Sequence, residues 1–198
     1  MTLLLLSRGF IHGFGVNDSN YATQSLSNGV RYVCPAYAAW KAMIHRVYSK
    51  RSLADNPCYE GVVVCEDWRS FMSFRAWWLE NHVAGWHLDK DIVGSGGVYS
   101  PDDCIFVPSW INTLMSDVAS RRGDYLIGVT KVGNKYRANC RHPFNSFRRH
   151  IGYFDTELEA HDRWRLRKIE VIDDLKCKMD EIDNRIYKSL FLKIMNAR

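Results

Sequence analysis

The stretch "LDKDIVGSGGVYSPDDCIF", Leu88 to Phe106, sets Asp89, Lys90 and Asp91 on one side of a glycine-rich turn and Asp102 and Asp103 on the other. Two readings fit these residue types: an ordinary β-hairpin whose acids cap turns, or a carboxylate cluster that holds a divalent metal. Residues two apart on a strand share a face, so His87, Asp89 and Asp91 are expected to project together while Lys90 points away. On that face His87 is a candidate proton acceptor. Its alternative is a satisfied edge-strand residue.

The elements around this stretch must position it. "PAYAAWKAMIHRVYS" places Tyr37, Trp40, Met43, Ile44 and Val47 at spacings of three and four behind Pro35, which predicts a core-facing helix. "DWRSFMSFRAWWLENH" repeats the spacing through Trp68, Phe71, Phe74, Trp77 and Trp78, an aromatic stripe read as core. A strand is expected at 87–92, a turn at Gly94 to Gly97, a second strand near Val98 and Tyr99, a helix entry or tight turn at 100–103, and a helix in "PSWINTLMSDVASRR". Residues 1–33, rich in Gly, Ser and Asn, have no sustained period; they read as a loosely structured lead-in with little chemistry. After "RRGD", "YLIGVTKV", "KYRANCR" and "HIGYFD" read as three short strands, with "VGNK" as a hairpin turn. A helix follows, capped by Thr156 with Glu159 three residues on. No glycine or proline interrupts it, and its seam of Ile172, Leu175, Met179, Ile182, Ile186 and Leu190 leaves two uses open, packing back on the protein or pairing with another copy as a homodimer.

Charge narrows the partners. The net charge is +5, but residues 1–120 carry −2, residues 121–154 carry +7 and residues 155–198 are neutral. The excess falls where the short strands lie, which favours a face that binds polyanions over a merely solvated patch. Six cysteines lie far apart without a Cys-x-x-Cys pair, arguing against a disulfide scaffold and a finger-type zinc site. The apolar run Leu3 to Leu6 is far shorter than the roughly 18–20 residues of a membrane span. The expectation is a cytoplasmic protein that does not engage a membrane.

Residues 34–171 resemble a phage-type HNH endonuclease module followed by an AP2 DNA-binding domain, a combination found in homing-endonuclease-like proteins. The first part rests on "CPAYAAWKAMIHRVYS", "YEGVVVCEDWRSFMSF", "LDKDI", "VYSPDDCIFVP" and Ile111-Asn112. The resemblance implies a ββα-metal fold. In the family's common register the strand Asp, the loop Asn and the helix ligand are separated by about fourteen and nine positions; here Asp89 to Asp103 is fourteen and Asp103 to Asn112 is nine. It therefore implies Asp89 and Asn112 as metal ligands, with Asp103 where Asn normally orients the base. The position after Asp89, a histidine base in the family, is Lys90. An imidazole with a pKa of about 6.5 suits proton removal near neutral pH, whereas lysine at about 10.4 stays protonated unless desolvated. Lys90 would then clamp a phosphate, and His87 would be the substitute base. Carboxylate and amide oxygens are hard donors, so the ion implied is Mg2+, or Mn2+ in its place.

The second part, "YLIGVTKVGNKYRANCR…HIGYFDTELEAHDRW", resembles AP2 through its Tyr-x-Gly-Val, Tyr-x-Ala, Ile-Gly-x-Phe-Asp-Thr and Glu-Ala-His signatures. Strand alternation independently puts Tyr136, Ala138 and Cys140 on a packed face and Lys135, Arg137, Asn139 and Arg141 on a basic one. Such a face suits the major groove of double-stranded DNA, with Lys131, Arg148 and Arg149 neutralising phosphates. The expected fold is α+β. Its parts are the lead-in 1–33, an HNH-like ββα module 34–121, an AP2-like three-stranded antiparallel sheet plus helix 122–171, and a long C-terminal helix 172–198. The expected activity is metal-dependent cleavage of DNA phosphodiesters. Its alternative is a catalytically degenerate DNA-binding or regulatory module.

Overall fold

Asn28 and Gly29, both with positive φ, reverse the chain between strands β1 (Gln24–Ser27) and β2 (Val30–Val33), an antiparallel hairpin with the turn geometry that matches strand twist. The computed structural model describes residues 10–94, 96–114, 124–145 and 150–197. The fold is α+β, in two compact units, Met1–Phe106 and Val107–Arg198.

In the first unit, Pro35 starts helix α1 (Pro35–Tyr48), whose Tyr37, Trp40, Met43, Ile44 and Val47 are buried as their spacing predicts. A short helix α2 (Lys50–Asp55) follows, then strand β3 (Val63–Val64) and helix α3 (Phe71–Asn81), capped by the Ser70 hydroxyl. Trp40 donates its indole N–H to the Trp68 carbonyl at 2.7 Å, so the largest core side chain has its one polar atom satisfied. Residues 10–23 are stitched down rather than loose. Val16 exchanges backbone hydrogen bonds with Arg69 and Phe71, and Asp18 accepts from the Ser70 hydroxyl and the Met72 N–H at the start of α3. Periodicity could not reveal this, because the ties are single hydrogen bonds to a helix fifty residues away.

Strand β4 (His87–Asp89) pairs with β6 (Ile105–Val107), while β5 (Val98–Tyr99), between them in sequence, pairs in parallel with β3. The second unit begins with helix α4 (Ser109–Asn112). Strands β7 (Val129–Val132), β8 (Lys135–Asn139) and β9 (His150–Phe154) form an antiparallel sheet in sequence order. Helix α5 (Glu157–Asp174) covers one face, and both halves of the capping box at Thr156 and Glu159 are formed. Gly128, at φ +83, lies flat against the Trp164 ring; a Cβ there would come within 2.1 Å of it.

The run after Thr156 is not one helix. It continues as α6 (Lys176–Asp180) and α7 (Arg185–Met195). The Asp183 carboxylate accepts from the Arg185 N–H at 2.8 Å and pairs with its guanidinium, starting α7 afresh. Doubling back lets α7 pack along α5, and Ile172, Leu175, Met179, Ile186, Leu190 and Ile194 are all buried. His161 ties the hairpin of helices to the sheet side, its Nδ1 2.8 Å from the Ile127 carbonyl and its Nε2 3.1 Å from that of Ala197.

The glycine turn and the candidate nucleic-acid interface

β4 stops at Asp89 because the Asp89 carboxylate accepts from the backbone N–H groups of Asp91 and Ile92, both at 2.7 Å. The strand thus ends two residues before Asp91, and the alternation expected to put His87, Asp89 and Asp91 on one face does not extend to Asp91. Lys90 points inward. It is 5 % exposed, and its Nζ donates to the Asp91 carboxylate at 2.6 Å and the Gly96 carbonyl at 2.7 Å, between the rings of Tyr59 and Tyr99. The cation is spent on fixing the turn, not offered to a phosphate.

Gly94 joins the two acidic clusters. A Cβ on it would meet the Lys90 carbonyl, the Asp103 carbonyl and the Asp103 Cβ, each at 2.7 Å. Asp103 in turn accepts from the Ser100 hydroxyl at 2.6 Å, and the Ser100 hydroxyl accepts from the Asp103 N–H. Burial pushes the Cys104 thiol up to about 12, with the nearby Asp103 and Asp89 carboxylates adding to the shift and the Ser100 backbone opposing it. Asp89 and Asp103 thus lie around one thiol. His87 is exposed at the head of β4, and Asn112 is exposed on α4 in the other unit. Among the described residues no group of three or more His, Cys, Asp or Glu side chains is arranged to hold a metal ion. Within the first unit the residues fit a divalent cation only in part: Asp89 already has one oxygen committed to two N–H groups, and Asp103 to a hydroxyl.

The sheet of the second unit has a packed and an open face. Cross-strand partners share a face, and Val129, Ala138 and Gly152 form one row with Val129 and Ala138 buried. The neighbouring row, Thr130, Arg137 and Tyr153, therefore lies on the other side. A β-bulge between Ala138 and Asn139 leaves Ile151 facing the core and sets Asn139 beside His150. The open face thus carries Lys135, Arg137 and Asn139 as alternation predicts, and also Tyr153 and His150, whose rings are 5.1 Å apart. These two aromatics escaped the sequence reading because the bulge breaks the alternation of β9. Lys135 pairs with Asp155, and Arg141 is exposed just past β8. Lys131 pairs with Tyr136, so it belongs to the packed side, at its rim, with Nζ 5.7 Å from the Tyr136 ring. Arg137 Nε is shielded from water without a hydrogen-bond partner among the described residues. Beneath the sheet, burial lowers the pKa of Lys168, and the Cys140 thiol nearby is raised by its own burial. Arg148 and Arg149 lie outside the described residues.

No family model, curated protein or solved structure matches the chain.

Proposed function

We propose that the protein binds double-stranded DNA through the open face of β7–β9, and that the glycine-turn segment serves as a scaffold without cutting. The observation that carries the DNA reading is the row Thr130–Arg137–Tyr153 with Asn139 and His150 beside it, on the one segment where the chain concentrates positive charge. An antiparallel sheet presents such side chains at a spacing that enters the major groove, where Arg and Asn read guanine and adenine edges. The resemblance to AP2 supports the same face. The scaffold reading rests on Lys90, buried and doubly hydrogen-bonded at the position where the HNH resemblance calls for a proton acceptor.

Duplex binding measured against salt tests this. Arg137→Ala is expected to weaken binding about tenfold and flatten the salt slope by roughly one unit. Full affinity in that variant removes the sheet from the interface.

A second reading, nicking with Mg2+ or Mn2+, is favoured by one observation: Gly94 packs the Asp89 and Asp103 segments together. Asp89 would hold the ion, Asp103 would lie beside it, and the ion would supply charge stabilisation at the phosphate. His87 would take the proton from water. Plasmid nicking by the native chain, lost in Asp89→Ala, would establish this reading over the first.

A further inference from the structure

The first unit holds a charge asymmetry of its own. Between Asp18 and Asp55 there is no acidic residue, while Arg31, Lys41, Arg46, Lys50 and Arg51 bring five positive charges. Asp18 itself is turned into the start of α3. This acid-free segment contains the β1–β2 hairpin, which has no third strand among the described residues and is open to water on both sides: Leu26 is 75 % and Tyr32 58 % exposed. A two-stranded hairpin is marginal alone, so a surface of this kind is built to be covered.

At its root is a cleft of about 420 Å³ lined by Ile11, Asn17, Tyr21, Thr23, Gln24 and Tyr37. That is within the size of small-ligand sites, roughly 300–1,000 Å³. The cleft is framed rather than soft. Asn17 donates to the Thr23 hydroxyl at 3.2 Å, Cys34 N–H donates to the Thr23 carbonyl at 2.9 Å, and Arg31 reaches back to Gln24. The Tyr21 ring carries the Arg75 guanidinium 5.5 Å away, and Lys41 lies on the exposed side of α1.

From these features we infer that the first unit binds single-stranded nucleic acid, one unpaired base entering the cleft beside Tyr21 while Arg31, Arg75 and Lys41 track the backbone. Aromatic faces interleaved with cations, on a segment free of acids from Ser19 to Ala54, are what an unpaired strand needs. A paired base keeps its faces stacked within the duplex, whereas an unpaired base is free to lay a face against the Tyr21 ring. The hairpin offers only Ser, Asn, Gln, Arg and aromatic or aliphatic groups, so no complementary acid invites a basic protein partner. This inference does not rest on the sheet of the second unit, and the two surfaces are separable by variant.

The test is fluorescence anisotropy of the full chain with labelled oligothymidine and, in parallel, a labelled duplex. Tyr21→Ala and Tyr32→Ala are each expected to weaken oligothymidine binding roughly five- to a hundredfold, as loss of a base stack does. Tyr21→Phe, which keeps the ring, should restore it. Arg31→Gln should flatten the salt slope by about 0.7. Duplex binding should be unchanged in all of these, and Arg137→Ala should spare the oligothymidine. A native chain that holds duplex but leaves oligothymidine free at low salt overturns this inference and spares the sheet; one that holds neither overturns both. Loss of oligothymidine binding in Arg137→Ala, or self-association abolished by Leu26→Ser, also overturns it.

Discussion

Lys90 Nζ crosses under the glycine turn to donate to the Gly96 carbonyl at 2.7 Å. Because the same ammonium meets Asp91, one buried cation closes both ends of the turn. An imidazole at this position is too short to make both bonds. Lys90→Met and Lys90→His are each expected to cost about 2 kcal/mol, less than for a fully buried pair because Asp91 is open to water. Denaturant unfolding measures it. A neutral result for either variant contradicts the bracing role.

Gly128 and Gly133 both have positive φ, yet only Gly128 faces a ring. Gly133→Ala meets open space and is expected to lose about 1 kcal/mol from backbone strain alone. Gly128→Ala must also displace Trp164 and is expected to lose about 3 kcal/mol. Equal losses in thermal unfolding would mean that the ring contact carries no weight.

The Thr156 hydroxyl accepts from the Glu159 N–H at 3.2 Å while Glu159 accepts from the Thr156 N–H. Thr156→Ala should destabilise by about 1 kcal/mol and Thr156→Ser by much less. Calorimetry that finds the two variants equal removes the cap from the account of α5.

Stability should fall in alkali. Burial raises the Cys104 thiol to about 12 from 9.0, and also raises the Tyr99 hydroxyl above 10.0. Raised pKa values mean that the folded state holds these protons more tightly than the unfolded chain. Their contribution is whole below pH 9 and is lost progressively between pH 9 and about 12. Denaturation of Cys104→Ala should show a shallower decline over that window than the native chain. Identical slopes would place the sensitivity elsewhere.

Much of this architecture was legible in the residues. The stripe of α1 follows from spacing, the start of α5 from Thr156 and Glu159, and the face of β8 from strict alternation. What stayed hidden shares one cause: it depends on partners far off in sequence or on a break in period. Nothing local says that Lys90 turns inward between Tyr59 and Tyr99. The bulge that exposes Tyr153 and His150 together breaks the very alternation used to read the strand. The seam from Ile172 to Leu190 is continuous in sequence, yet the helix breaks at Leu175 and again after Asp180, where the Asp183–Arg185 pairing starts α7 afresh. Of the glycine-turn residues, the spacing of Asp89 and Asp103 was visible, but the hydrogen bonds already occupying both were not.

The doubling-back of α7 onto α5 has a consequence during synthesis. The amino-terminal half of α5, through Ala160 and Trp164, packs on strands that precede it in the chain, so its partners are already made when it leaves the ribosome. Val171, Ile172 and Leu175 follow, and α7, the element that packs along α5, leaves after them. Until α7 docks, the new chain displays an apolar strip of the kind chaperones and proteases act upon, so the speed of that docking bears on the yield of intact protein.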